Sequence, residues 1–274
     1  MILGGGVTNS YSQPVRLVPK QNREDKRTLE TTVNGTLLPI YDSTMQTLNN
    51  QIGYRYGGRG GNDIVRNTGN LPSNGSNIII DESQIETIAQ IRNNMARQKG
   101  TGLTVEQAFT MLGHKDENGN IVITNVVANQ GVFEQNLEKA RQIQEARRLN
   151  PNLKQKMPEA EFTRDLQIAM GKHLHDKSIK NPVVIHGHTH PQSIFGDKSN
   201  NYSVHDLWAY RELQATGDAI RDDAQVLGMV INDAADFNVV GFNSSDRQFE
   251  KYDNISIGDT RLPSFSRNYG SRGR

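Results

Sequence analysis

Over the first 76 positions the apolar residues follow neither a helical nor a strand period, whereas from Asn77 onward they fall into short repeated patterns. Asn77–Ile80 (NIII) predicts a short strand. Ile85, Ile88, Ala89, Ile91, Met95 and Ala96 recur at helical spacing and predict a helix over Glu82–Lys99. LTVEQAFTML (Leu103–Leu112) and IVITNVVA (Ile121–Ala128) predict two strands, with a tight hairpin turn at Asn118-Gly119 between them. Glu134–Leu149 reads as a charged helix stopped by Asn150-Pro151. Pro158–Lys177 reads as another, with Phe162, Leu166, Ile168, Ala169, Met170 and Leu174 as its apolar set. PVVIHGHTHP (Pro182–Pro191) predicts a buried strand running into a histidine-rich loop. A helix over Ser203–Thr216, with Ser203 as its N-cap, and strands at Gln225–Asn232, Phe237–Phe242 and Arg247–Tyr252 complete the pattern. This alternation predicts one α/β domain in which a mixed β-sheet is flanked by helices.

Composition divides the chain into three parts. Residues 1–76 read as a flexible Gly/Asn-rich arm, 77–257 as the folded body and 258–274 as a basic flexible tail. Within the arm, Gly53–Asn62 and Gly69–Asn77 read as linker, and TLLPIYD (Thr36–Asp42) as a short strand or docking segment. The net charge is +1, distributed as +3 on the arm, −5 on the body and +3 on the tail. Arg, Gly and Tyr mix in both ends, yet the segments are short and the excess charge small, so they read as linker rather than as a nucleic-acid surface. No apolar run is long enough for a spanning helix, and MILGGGVTNS lacks the charged and apolar regions of a secretory signal. The expectation is a cytoplasmic chain. The absence of cysteine excludes disulfide scaffolds, thiol catalysis and Cys-rich zinc fingers, leaving His, Asp and Glu as metal ligands.

Four of the seven histidines lie close together, at His186, His188, His190 and His205. Side chains two apart on an extended segment point the same way, so His188 and His190 can converge on one ion at about 2.0–2.1 Å each. Asp206, at the start of the next helix, can be folded back to the same ion. Two imidazoles, one carboxylate and a position left for water describe a catalytic zinc site. His186 shares the parity of the pair and reads as a hydrogen-bonded neighbour of the ligands or a third imidazole. His205 reads as surface or substrate-facing. His173 and His175 lie two apart in a helical pattern, point to different sides and read as non-ligands.

HGHTHP followed by SVHD resembles the motif of the JAMM/MPN-type (JAB) zinc metalloproteases, His-x-His-Pro followed by Ser-x-x-Asp. His188, His190, Pro191, Ser203 and Asp206 occupy its places. VEQAFTMLG adds the glutamate and the apolar run ending in glycine that precede it in that family, with Glu106 leading and Gly113 closing. The resemblance covers roughly residues 77–255 and implies an MPN fold, similar to that of cytidine deaminases. It also implies Zn2+ held by His188, His190 and Asp206, Glu106 as general base, and the Ser203 hydroxyl as an oxyanion donor. The implied activity is peptidase or isopeptidase cleavage of a protein or peptide substrate, ubiquitin-like tails among them. The alternative within the family is a non-catalytic scaffold that binds proteins through its arms.

Three departures accompany the resemblance. Phe109 stands where the family often has glycine, Gly187 stands where it usually carries an aromatic, and the loop from Pro191 to Ser203 is long. GHTHP also ends the calcineurin-like metallophosphoesterase pattern, but the upstream Asp-x-His and the Gly-Asn-His of that class are missing. A DNA-repair-linked branch of the JAMM family usually has Ser-Gly after the proline, where this chain has Gln192-Ser193. The helix at Glu134–Arg148 and the 191–202 loop are expected to clamp an extended tail by strand addition, and the N-terminal arm to serve a larger assembly.

Overall fold

The computed structural model describes residues 71–158, 160–191, 202, 204–232, 235–246 and 248–265. The chain forms strand β1 (Asn77–Ile80), helix α1 (Ile85–Ala96), strands β2 (Ala108–Lys115) and β3 (Ile121–Ala128), helices α2 (Gln130–Leu149) and α3 (Arg164–His175), and strand β4 (Pro182–His190). Helix α4 (Val204–Ile220) and strands β5 (Gln225–Asn232), β6 (Phe237–Asn243), β7 (Gln248–Tyr252), β8 (Asn254–Ile257) and β9 (Thr260–Arg261) follow. The expected class holds: these are a mixed sheet and helices packed on it. Among the described residues, no helix is long and apolar enough to cross a membrane.

All nine strands join one sheet in the order β7-β6-β5-β4-β2-β3-β1-β8-β9. β4 runs parallel to β5, and β1 parallel to β3 and β8, while the remaining pairs are antiparallel. β7 and β8 are separated only by Asp253, yet they stand at opposite ends of this order. The sheet must therefore curl until its ends approach. Ser73 bridges Lys251 of β7 just before Asn77 pairs with Asn254 of β8, so one stretch of chain links both ends. A single core cluster joins Leu227, Met229 and Tyr252 with Ile78, Ile80 and Ile255, and includes Ile88, Ile91 and Met95 of α1. α1 thus lies within the curl. The outer face carries α3 and α4, where Tyr210 and Leu213 pack on Val226 and Val230, and Leu174 packs on Val184.

Several boundaries differ from the sequence reading, each for a local reason. The strand expected at Leu103–Leu112 begins only at Ala108. Leu103 and Val105 instead pack on Phe133, Leu137 and Ala140 of α2. Gln98 does there what a neighbouring strand would do: its Oε1 accepts the Val105 N–H at 2.7 Å and its Nε2 donates to the Val105 carbonyl at 2.9 Å. α2 starts at Gln130 rather than Glu134, because Asn129 caps it by accepting the Val132 N–H at 3.0 Å. α3 begins at Arg164 rather than Pro158, and Phe162 lies in the segment before it. Around the turn, Gly119 takes φ +81°, and Asp116 Oδ1 accepts the Asn118 and Asn120 N–H groups, which closes the hairpin. Leu71–Ser76 and Gly258–Phe265 fall in the spans read as arm and tail, and Leu71 and Leu262 are buried against the body. Residues 1–70 and 266–274 lie outside the described residues, as does the loop 192–201.

The first two departures from the family pattern meet in space. Phe109 of β2 pairs directly with Gly187 of β4, and a Cβ at Gly187 would stand 2.2 Å from the Phe109 ring. The ring of Phe109 fills the space that the missing Gly187 side chain leaves between the strands. Phe109→Ala is expected to cost about 3–5 kcal/mol, as emptying a fully buried phenylalanine site does. Gly187→Ala should also destabilise, and the double variant by less than the sum, because the smaller residue at 109 makes room for the new methyl. Urea unfolding midpoints of the four proteins check this.

Candidate metal centre

β4 positions the histidines. Its Val183 and Ile185 enter the core within the curl, so alternation sends Val184, His186, His188 and His190 to the opposite face, towards α3 and α4. α4 is held on β5 by Leu207, Tyr210 and Leu213, and this docking places Asp206, in its first turn, over the end of β4.

The three groups converge. His188 Nε2 and His190 Nε2 are 2.9 Å apart, and Asp206 Oδ1 is 3.5 Å from His188 Nε2. One ligand atom from each residue lies within 4.8 Å of the other two, so the group can hold a metal ion. His188 is buried, whereas the side chains of His190 and Asp206 are half-buried, which leaves one side of the group open. The shared parity of the two histidines and the return of Asp206 are as the sequence reading expected.

Glu106 precedes β2, in which Ala108 pairs with His188. The pairing continues, since the Gln107 carbonyl accepts the Thr189 N–H at 3.0 Å and Thr189 Oγ1 accepts the Gln107 N–H at 2.9 Å. Glu106 is the next residue before this contact, two residues ahead of Ala108. Its Oε2 accepts the Ala160 N–H at 3.4 Å. A niche of about 10 Å³, room for roughly one water, lies beside it, walled by Asn129, Phe133 and Asn136 of the α2 end and by Glu161. Ser203 lies outside the described residues, and so does the side chain of His205.

His186 is not one of the three converging groups. It is buried edge-on against Phe162, with ring centroids 4.2 Å apart, and its Nδ1 has no hydrogen-bond partner. Burial first, and then the neighbouring His188, push its pKa down to about 3, so the ring is neutral. His173 and His175 lie in α3, as expected of non-ligands. His173 Nε2 donates to the Gly113 carbonyl at 2.6 Å, and burial lowers its pKa.

Sequence reasoning missed Tyr210. Its hydroxyl lies 3.3 Å from His188 Nδ1 and 3.3 Å from the Met229 carbonyl. The signal was present, because Tyr210 follows Asp206 by one helical turn and so shares its face. Gly228 of β5 makes the fit possible, since a Cβ there would stand 2.0 Å from the Tyr210 ring.

Glu212, on the same helix, has its pKa raised from 4.5 to about 7 by burial, partly opposed by Arg211. The folded state therefore holds a proton that the unfolded chain releases between pH 4.5 and 7. Glu212 thus favours folding most below pH 4.5, and this contribution declines as pH rises through 7. Glu212→Gln should flatten that part of the stability–pH curve and raise the melting temperature at pH 8 more than at pH 5, as thermal unfolding across pH would show.

Fold and site together define a mixed α/β protein in which two histidines of β4 and an aspartate of α4 form a group able to hold a metal ion. Comparison with protein-family models gives no match for the chain, and comparison with curated proteins gives none either.

Proposed function

We propose that the chain is a zinc-dependent peptidase or isopeptidase of JAMM/MPN type, which hydrolyses an amide bond in a protein or peptide such as the tail of a ubiquitin-like protein. The convergence of His188 Nε2, His190 Nε2 and Asp206 Oδ1 carries this reading. A tetrahedral ion with bonds of about 2.0–2.1 Å sets its ligand atoms about 3.3 Å apart, and the separations of 2.9 and 3.5 Å lie on either side of that value. Two nitrogens and one oxygen, with one side open, suit zinc in a catalytic rather than a structural role. The curled mixed sheet with its histidine-bearing strand also suits the MPN resemblance.

When bound, zinc would supply a water polarised for attack near neutral pH. Glu106, two residues before the Ala108 that pairs with His188, would accept the proton of the attacking water and return it to the leaving amine. The Ser203 hydroxyl, one residue before α4, would donate to the oxyanion that forms.

The test is a panel of C-terminally extended ubiquitin-like proteins and extended peptides, incubated with the zinc-loaded full chain. Chelator-sensitive cleavage, read by mass spectrometry, is the expected result. Stoichiometric zinc with no cleavage of any member would contradict the hydrolase reading and favour a scaffold that has kept its ligands.

A further inference from the structure

We infer that Tyr210 fixes the tautomer of His188 and thereby presents its Nε2 to the metal; the inference rests on the reading of His188 as a ligand. Metal binding at Nε2 requires the His188 ring hydrogen to sit on Nδ1, and the Met229 carbonyl, 3.3 Å from the Tyr210 hydroxyl, can take the phenolic proton. The hydroxyl oxygen then accepts from His188 Nδ1, also at 3.3 Å, and favours this tautomer. A neutral imidazole has one N–H, so Nε2 keeps its lone pair. That lone pair lies on the side of His190 Nε2 and Asp206 Oδ1, where the three ligand atoms gather.

The surroundings hold the tyrosine in this place. Tyr210 is buried, packs edge-on against Tyr202 with ring centroids 5.8 Å apart, and lies over the bare backbone of Gly228. Its helix also carries Asp206 one turn earlier, so α4 delivers a ligand and the group that orients another ligand together. Tyr210 touches no reacting atom; it is a positioning residue. In its absence, nothing at Nδ1 opposes the Nε2–H tautomer, which must be given up before metal can bind.

The decisive readout does not need catalysis. Metal-free protein carrying 15N-labelled imidazoles is compared with Tyr210→Phe at pH 8 by long-range 1H–15N spectra. The variant keeps the ring that fills the space over Gly228. In the wild type, His188 is expected as the Nδ1–H form; in Tyr210→Phe it should shift towards Nε2–H. Zinc affinity should fall about 10- to 100-fold, as loss of a partner behind a metal ligand typically does. Gly228→Ala gives a second, independent route: it keeps the hydroxyl group but shifts it with the ring away from His188 Nδ1, and should weaken zinc in the same direction. An unchanged tautomer and unchanged affinity in Tyr210→Phe would overturn the inference while leaving the metal site standing. A wild type that binds no zinc, with His188 nevertheless in the Nδ1–H form, would instead overturn the metal reading alone.

Discussion

His190→Ala is expected to abolish zinc binding, taking the metal content from about one ion per chain to near none. The group has three protein ligands, and removing one leaves His188 and Asp206, whose nearest ligand atoms are 3.5 Å apart. Two ligands cannot hold the ion against water and buffer at the affinity of three. The fold should survive, because His190 is the last residue of β4 and is half-buried, whereas the strand itself is fixed by β2 and β5 on either side. A linked readout sharpens the test. Zinc at 100 times its dissociation constant should stabilise the wild type by about 2.7 kcal/mol, and His190→Ala should show no such gain. Metal content after dialysis, together with thermal unfolding with and without zinc, measures both.

Glu106→Gln is expected to keep the metal and lose the activity. Glutamine has nearly the same shape, and its side-chain oxygen can still accept the Ala160 N–H, so the segment before β2 should remain in place. What it cannot do is take a proton. Loss of a general base typically costs about 10²–10⁴-fold in rate, and the loss should fall on kcat with KM little changed. Glu106 is not one of the three metal-holding groups, so zinc stoichiometry should equal that of the wild type. Equal loss of zinc and of rate would show that Glu106 acts as a ligand or a structural residue, not as the base.

Much of this fold was legible in residue patterns, and the exceptions share a cause. β3, β4 and β5 were readable because each is a run of apolar and β-branched residues bounded by turn signals. β8 and β9 are four and two residues long, too short for a period to establish itself, and they exist because β1 offers β8 an edge. The start of β2 was misplaced because Leu103 and Val105 look like strand residues, while their partner is helix α2 and a glutamine side chain. No local pattern encodes that. At the site, the shared face of His188 and His190 follows from alternation alone. The approach of Asp206 does not, since it depends on how α4 docks on β5 through Leu207, Tyr210 and Leu213. The pairing of Phe109 with Gly187 belongs to the same class, since only strand register brings the ring over the glycine.

The ligand set itself is the central claim, and X-ray absorption at the zinc edge of the loaded full chain reads it directly. The account predicts nitrogen and oxygen scatterers at about 2.0–2.1 Å, with the multiple-scattering pattern of two imidazoles. Zinc removed by simple desalting, or a bound zinc without imidazole scattering, would contradict it.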